Sequence, residues 1–323
     1  MEKADLTVSR FEYVTADVFT DRPFGGNPLA VFPDARGLPE ALMQQVAREL
    51  NLSETVFVLP PERPEHSRRL RIFTPAAELP FAGHPTVGTA AVLADIGVLG
   101  TPTDGPIEIV LEEKVGPVAV RVERRAGAPT AAVLTAPRRP ERGPLSIDRP
   151  QIAKVLGLPA AALAEAPWAP AAYSAGVAFL FIPVRDAPAL ASATVDVGTW
   201  RDALANSWAP ELYVLTMEDW QRGREIRARM FAPRMGNVED PATGAAAAAL
   251  PGFLASNQTL PDGRAQWTIR QGEEMGRASR IALEADIAAG RPTAVRVGGS
   301  SVMMSRGTLM LPRDWTSRNG SAG

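Results

Sequence analysis

The sequence predicts an α+β protein of two similar halves, each a barrel-like β-sheet wrapped around one central helix. One observation is a plan that occurs twice: Arg71-Ile-Phe-Thr-Pro75 is matched by Arg229-Met-Phe-Ala-Pro233, and each leads into a helix of small residues. The other is that strand-like segments are numerous, whereas each half has one strong helix. A repeat spacing above about 150 residues is too long for a solenoid, so it indicates two facing domains.

Composition narrows the class of protein. The chain has 323 residues, of which 46% are hydrophobic and 22% charged, with a net charge of −2. This length suits two domains, and the balance is typical of a globular protein. No basic cluster indicates a nucleic-acid partner. No apolar run approaches the roughly 18 residues of a membrane helix, and no secretory signal is visible, so we expect a cytoplasmic protein.

Several kinds of site are unsupported. The chain has no cysteine, which excludes disulfides and thiol chemistry. It has only two histidines, so a zinc site is not indicated. No glycine-rich nucleotide loop and no Gly-x-Ser-x-Gly motif occurs. A metal enzyme built on carboxylates alone stays open, but no motif in the sequence supports it.

In the first half, residues 39–50 have apolar side chains at helical spacing and predict an amphipathic helix. The stretch 22–28 is rich in Gly and Pro and predicts a turn. Residues 1–9 are expected to be a loose tail. Runs of β-branched and aromatic residues predict strands at 11–19, 29–32, 53–58, 71–74, 107–111, 115–122 and 130–134.

The central helix of this half is predicted over residues 86–94. Pro is favoured at the first helical position, so Pro85 would begin the helix and His84 would lie at or near its N-cap. Gly83 lets the backbone approach closely whatever lies in front. Free N–H groups and a partial positive charge at such a helix start suit a carboxylate ligand. The alternative, purely structural interpretation is that His84, and Asp240 before the second helix, are helix caps.

The Pro- and Arg-rich stretch 137–144 predicts a boundary between a domain at 1–138 and another at 139–300. A strand near 301–312 is expected to return to the first domain, and 313–323 is expected to be a disordered tail. Residues 245–256 predict the second central helix, bent or ended by Pro251-Gly252. Gly298-Gly299-Ser300 predicts a hairpin turn. Other helices are predicted at 148–156, 160–163, 186–192 and 199–206, and strands at 174–184, 211–216, 225–231, 264–271, 280–287, 294–297 and 301–311.

Six motifs are distinctive when they occur together in one chain: Gly26-Asn-Pro-Leu-Ala-Val31, Asn51-Leu-Ser-Glu-Thr-Val-Phe57, Leu79-Pro-Phe-Ala-Gly-His-Pro-Thr-Val-Gly-Thr-Ala90, Glu239-Asp-Pro-Ala-Thr-Gly244, Gln271-Gly-Glu-Glu-Met-Gly-Arg277 and Ser305-Arg-Gly307. With these motifs the sequence resembles, over nearly its whole length, the PhzF family, named for the isomerase of phenazine biosynthesis. The resemblance implies the diaminopimelate-epimerase fold of two pseudo-symmetric domains, a homodimer, and a small-molecule carboxylate substrate.

The resemblance also implies the site. The family's acid/base glutamate falls on Glu54, its active-site histidine on His84 and its aspartate on Asp240. The substrate-binding positions fall on Ser53, Gly83, Thr243, Gly244 and Ala245. Glu211, the counterpart of Glu54 in the second half, is expected to be structural, Glu78 and Glu239 solvated or interdomain, and His66 a bystander.

Two positions depart from the family pattern. Ala245 stands where the family often has Ser, and Ala248 stands where it has Gly. A lost hydroxyl removes about 1 kcal/mol of hydrogen bonding. These departures leave open a substrate other than the phenazine precursor.

Three functions stay open. The first is a cofactor-independent isomerase that moves a proton and a double bond in a small unsaturated amino or hydroxy acid, such as a dihydro-hydroxyanthranilate or an alkylproline precursor. The second is an amino-acid epimerase that uses carboxylate or histidine bases. The third is a non-catalytic binding protein on the same scaffold.

Overall fold

The computed structural model describes residues 8–100, 105–124, 127–220, 223–235 and 237–312. The α-helices are α1 (Glu40–Leu50), α2 (Gly83–Asp95), α3 (Arg149–Val155), α4 (Ala187–Ser192), α5 (Val197–Leu204) and α6 (Gly244–Asn257), and 3-10 turns cover Ala160–Ala162 and Pro233–Met235. The strands are β1 (Val8–Val18), β2 (Asn27–Phe32), β3 (Glu54–Leu59), β4 (Arg68–Phe73), β5 (Glu78–Leu79), β6 (Ile107–Glu113), β7 (Gly116–Glu123), β8 (Thr130–Thr135), β9 (Glu141–Arg142), β10 (Ala171–Ser174), β11 (Ala178–Pro183), β12 (Glu211–Thr216), β13 (Glu225–Ala232), β14 (Asn237–Asp240), β15 (Gly263–Gln271), β16 (Ser279–Ala288) and β17 (Arg291–Pro312).

Eight of the described strands close into a barrel around α2. From β1 the neighbours are β2, β3, β4, β6, β7, β8 and β17 in that order. The barrel closes because β17 returns to β1, from Val18↔Ser301 to Val8↔Pro312. Residues 83–94 of α2 are all buried. A helix that is apolar on every side must be enclosed in this way.

The second half repeats this connectivity around α6. β11 pairs parallel with β12 as β2 does with β3, and β12 pairs antiparallel with β13 as β3 does with β4. β13 pairs parallel with β15, the counterpart of β4 with β6. Ala246–Leu250 of α6 are fully buried, and their small side chains let the surrounding strands approach closely. Glu54 and Glu211 are thus the first residues of equivalent strands.

The predicted α+β class with two pseudo-symmetric, barrel-like sheets is confirmed. Most predicted strands and helices are present within a few residues of their expected bounds. The division into domains near residue 138 stays a prediction. Among the residues described, no helix is both long and apolar enough to cross a membrane.

The predicted hairpin turn at residues 298–300 is wrong, because β17 runs through it as one strand of 22 residues. Gly298 and Gly299 serve close packing instead. A Cβ on Gly298 would lie 2.5 Å from the Ala132 carbonyl oxygen, and one on Gly299 would lie 2.8 Å from the Phe19 ring. The two glycines therefore let β17 cross from one half to the other against neighbouring backbone.

Three smaller expectations also need correction. The second central helix is present, but the alternative that Pro251 ends it is wrong: α6 continues to Asn257, because its burial outweighs one missing hydrogen bond. The strand predicted at 174–184 begins four residues later, as β11 (Ala178–Pro183), because Ser174 ends β10 and residues 175–177 form the turn between the two strands. Val8 and Ser9 belong to β1 and not to a tail, whereas residues 1–7 and 313–323 lie outside the described part of the chain.

Candidate active site

A small cavity lies between the first turns of α2 and α6, and every site residue predicted from the sequence lines it. Its volume is about 50 Å³, well below the roughly 300–1,000 Å³ of pockets that hold drug-sized ligands. A bound acid must therefore be small, and the cavity must widen to admit one larger than this space. The lining residues are Ser53, Glu54, Thr74, Phe81, Ala82, Gly83, His84, Val177, Phe179, Met230, Ala232, Asp240, Thr243, Gly244 and Ala245.

Glu54 and His84 meet on the α2 side of the cavity. Asn51 ends α1 with a left-handed backbone (φ 50°), which turns the chain so that β3 begins at Glu54. Glu54 Oε2 lies 3.0 Å from His84 Nε2, and the side chains are only 14% and 5% exposed. Neither atom has a well-aligned hydrogen bond despite this distance, so the contact is an ion pair and the hydrogen-bonding capacity of both atoms is unused.

The protonation of His84 follows from its neighbours. Burial disfavours the charged ring, but the carboxylates of Glu54 and Asp240 outweigh it and raise the pKa of His84 above its ordinary value. The protonated form of the imidazole is thus favoured by two nearby carboxyl groups. Such a group can hold an anion or pass a proton.

Asp240 lies at the end of β14, on the other side of the cavity. Thr243 donates its hydroxyl to Asp240 Oδ2 at 2.5 Å, and Asn27 donates its amide to Oδ1 at 2.8 Å. Burial, joined by the Glu54 carboxylate, raises the pKa of Asp240 to about 6 against the opposing effects of His84 and these donors. This carboxyl group therefore changes charge close to neutral pH.

The helix starts differ from the prediction in register. α2 begins at Gly83 after the N-cap residue Ala82, so His84 is its second residue and Pro85 its third. α6 begins at Gly244 after Thr243, and Asp240 lies four residues before it, so Asp240 is not a cap. Neither N-cap side chain accepts a bond from its own helix, which leaves first-turn N–H groups available to an anion.

Two buried amides that sequence reasoning did not assign to the site hold it together. Asn27 donates to Asp240 and to the Ala242 carbonyl at 2.9 Å. Gln271 donates to the Asp240 carbonyl at 2.8 Å and to the Thr243 hydroxyl at 2.9 Å. Both lie in motifs that carry the family resemblance, and this was the signal in the sequence that could have identified them as site residues.

A comparison with known protein families covers all the site residues described above. Residues 16–307 match the family model PhzC-PhzF, described as phenazine biosynthesis-like protein. The chain belongs to this family.

Curated members of the PhzC-PhzF family are similar over almost their whole length. The chain is 41% identical to an uncharacterized isomerase of Mesorhizobium japonicum, over 93% of this chain and 98% of that protein. It is 37% identical to the trans-2,3-dihydro-3-hydroxyanthranilate isomerase of Pseudomonas fluorescens, over 93% and 99%. The chain is an isomerase of this family.

A solved PhzF-family structure has the same fold. The Bacillus anthracis phenazine biosynthesis protein superposes with a TM-score of 0.83 at 22% identity, over 94% of this chain and 100% of that one. At this identity the likeness establishes the fold alone.

Three other ionisable residues named from the sequence, Glu78, Glu239 and His66, lie away from the cavity. Glu78 and Glu239 are not solvated; each forms a two-bond ion pair with the repeated arginine of its half, Arg71 and Arg229. His66 pairs with Glu112 at 2.8 Å. Among the residues described, no cluster of three or more His, Asp or Glu side chains is arranged to hold a metal ion.

Proposed function

We propose that this chain is a cofactor-independent isomerase that moves a proton and a double bond within a small unsaturated amino or hydroxy acid. The observation that carries the proposal is the pairing of Glu54 with His84 beside Asp240, in a buried cavity between two helix starts. The acid we favour is of the dihydro-hydroxyanthranilate type, as in the name of the Pseudomonas fluorescens relative.

Glu54 acts as the base in this proposal. Its carboxylate removes a proton from a carbon next to the unsaturated system, the double bond shifts, and the same proton returns to another carbon of that system. No atom is gained or lost, so the reaction is an isomerisation. A carboxylate held in a closed cavity is suited to such a transfer.

The helix starts and His84 stabilise the charge that develops. First-turn N–H groups of α2 and α6 would hold the substrate carboxylate and the electron density that leaves the C–H bond. His84, in its protonated form, would face the same charge while it keeps Glu54 in place. Asp240, held by Asn27 and Thr243, would orient a hydroxyl or amino group.

An epimerase is the second candidate, and the specific observation in its favour is the raised pKa of Asp240. A carboxyl group that titrates at about 6 on the side opposite Glu54 can supply a proton to the other face of a carbon. The two reactions differ in outcome. Deuterium incorporation at a stereocentre without movement of a double bond would select the epimerase.

The test uses the full chain and trans-2,3-dihydro-3-hydroxyanthranilate. We expect the wild type to convert it in D2O with a shift of the double bond, followed by NMR. Glu54→Gln should lose at least about a hundredfold in kcat, because general-base catalysis contributes roughly 10²–10⁴-fold, while its circular dichroism and Tm stay close to those of the wild type. Glu49→Gln, an exposed carboxylate on α1, is the matched control and should keep full activity. Full turnover by Glu54→Gln would reject the assignment.

A further inference from the structure

The second half contains a buried acid at the position that matches Glu54. Glu211 begins β12, as Glu54 begins β3. Each of these strands pairs parallel with the strand directly before it in the chain, β12 with β11 and β3 with β2. Glu211 is 2% exposed. Its atom Oε2 has no hydrogen-bond partner within the described part of the chain, although such atoms in protein interiors are nearly always paired. Sequence reasoning assigned this residue a structural role that its unpaired atom does not fit.

Strand register puts Glu211 next to the cavity. It is the Cα partner of Phe179 on β11, and the pair Leu212↔Phe231 puts Ala232 beside it on β13. Phe179 and Ala232 both line the cavity. Partners in adjacent strands present their side chains to the same face, so the Glu211 carboxyl group is on the side of the sheet that forms the cavity wall. Glu211 is not itself part of the lining, so it meets a ligand only when the cavity widens on the side of Phe179 and Ala232.

A second residue of the same face supports this direction. Tyr213, two residues along β12, donates its hydroxyl to Gln271 at 3.3 Å, and Gln271 holds the Asp240 backbone. Side chains two apart on a strand share a face. Burial raises the pKa of Glu211 to about 7 against the nearby charge of Arg234, as expected for a carboxyl group without a donor.

The two halves differ in what faces the glutamate. The second residue of α2 is His84, which pairs with Glu54. The second residue of α6 is Ala245, which lines the cavity and has no polar atom in its side chain. The α6 side therefore has an acid without the protein partner that its counterpart has.

We propose that Glu211 is a specificity-determining residue whose carboxyl group hydrogen-bonds a hydroxyl or amino group of the bound acid on the α6 side of the cavity, opposite Glu54. The inference rests on the proposed function, because it assigns a contact to the acid that Glu54 deprotonates. In the complex, the hydroxyl or amino group of the bound acid supplies the hydrogen-bond partner that Glu211 Oε2 lacks in the free enzyme. The enzyme then favours acids that have this group over acids that lack it.

The test measures binding without turnover, in the Glu54→Gln background. Calorimetric titrations compare four small acids: 3-hydroxyanthranilate, anthranilate, 3-hydroxybenzoate and benzoate, which differ only in the hydroxyl and amino groups. We expect the polar groups to increase affinity over benzoate. Adding Glu211→Leu should reduce affinity roughly tenfold for the acids that have the contacted group and leave benzoate binding unchanged. Glu211→Gln keeps hydrogen-bonding capacity and should restore most of the affinity.

Glu113→Leu is the matched control. Glu113 is also a buried glutamate with an unpaired Oε2, but it lies against Thr86 on α2, and its strand partner Gly116 does not line the cavity, whereas the strand partner of Glu211 does. It should leave the preference among the four acids unchanged. Thermal unfolding of each variant checks that it is folded. If Glu211→Leu does not fold, the binding of the four acids to Glu211→Gln is compared with that of the parent protein instead.

Three results overturn the inference. Unchanged affinities in Glu211→Leu would show that the carboxyl group makes no contact with the acid. An equal loss for all four acids, benzoate included, would show that Glu211 only shapes the cavity. Failure of the Glu54→Gln protein to bind any of the four would instead remove the substrate class of the proposed function, and with it the group that Glu211 is assigned to hold.

Discussion

The backbones of Gly83 and Gly244 are in direct contact where α2 and α6 begin. A Cβ on Gly83 would lie 2.7 Å from the Gly244 Cα, and a Cβ on Gly244 would lie 3.0 Å from the Gly83 Cα. The positive ends of two helices thus meet with no side chain between them. Two positive helix ends this close favour an anion beside them, which is why the cavity is suited to a carboxylate.

Gly83→Ala should separate the two helix starts. The added methyl group would meet backbone atoms, which cannot turn aside, and overpacking of this kind typically costs about 1–3 kcal/mol. We expect the free energy of unfolding, measured in urea, to fall by that amount and kcat/KM to fall more than tenfold. Gly198→Ala on α5 meets only an ordinary contact at 3.5 Å and should leave both values near those of the wild type. A fully active Gly83→Ala enzyme would contradict the role of this contact.

Glu113 should make stability depend on pH. The Thr86 hydroxyl lies 2.7 Å from the Ala82 carbonyl and 2.6 Å from Glu113 Oε1, and its single proton can serve only one of them. Both contacts are hydrogen bonds if Glu113 holds a proton. Burial accordingly raises the pKa of Glu113 to about 8. The folded state keeps this proton after the unfolded chain, with an ordinary carboxyl pKa, has released it.

The sign of the effect follows from linkage. Because the folded pKa is raised, the stabilisation is complete below the ordinary carboxyl pKa and is lost as pH rises toward 8. We expect the free energy of unfolding to fall by up to roughly 1.4 kcal/mol per pH unit from this group. Glu113→Gln cannot ionise and should flatten the curve. Identical pH dependence in the two proteins, measured by urea unfolding between pH 5 and pH 8, would contradict the assignment.

Arg277 connects the two halves beside the site. It donates to the Gly25 and Gly26 carbonyls at 2.8 and 2.9 Å and to the buried Asp17 carboxylate at 2.6 Å. Arg277→Met would leave that carboxylate without its cation, which costs about 1.5–3 kcal/mol for a charged hydrogen bond. We expect a loss of this size in urea unfolding. Arg280→Met, at an exposed arginine nearby, should cost less than about 0.5 kcal/mol.

The sequence allowed the prediction of the helix-start site because its signals are local. Gly83-His84-Pro85 and Asp240-Pro-Ala-Thr-Gly244 each indicate a helix start, and the resemblance added Glu54. Pro85 did not determine at which residue α2 begins. The N–H groups of the first helical residues have no partner in the helix, so a proline without an N–H fits the third helical position as well as the first. His84 is therefore inside the helix and not its cap.

Long-range relationships were missed for a physical reason. Asn27 bonds to Asp240 more than two hundred residues away in the sequence, and Gln271 bonds to the same residue from about thirty residues away. An amide side chain in a sequence gives no sign of which residue it will bond. The glycines of β17 were misread because glycine is favoured both in turns and where strands cross closely. Only packing separates the two cases.

Asn27→Asp should change the pH dependence of the reaction more than the fold. Asn27 is fully buried and its amide donates to Asp240 Oδ1 at 2.8 Å. An aspartate there replaces the donor by a second carboxyl group, and two carboxyl groups this close cannot both ionise readily, so the pKa of Asp240 should rise above its value of about 6. If ionised Asp240 orients the substrate, kcat/KM should fall most at pH 6 and recover in part as pH rises to 8. The matched control is Asn206→Asp at an exposed position after α5, which should keep the wild-type profile. A uniform loss at every pH would instead assign Asn27 to packing, since a mere structural defect does not follow the charge of Asp240.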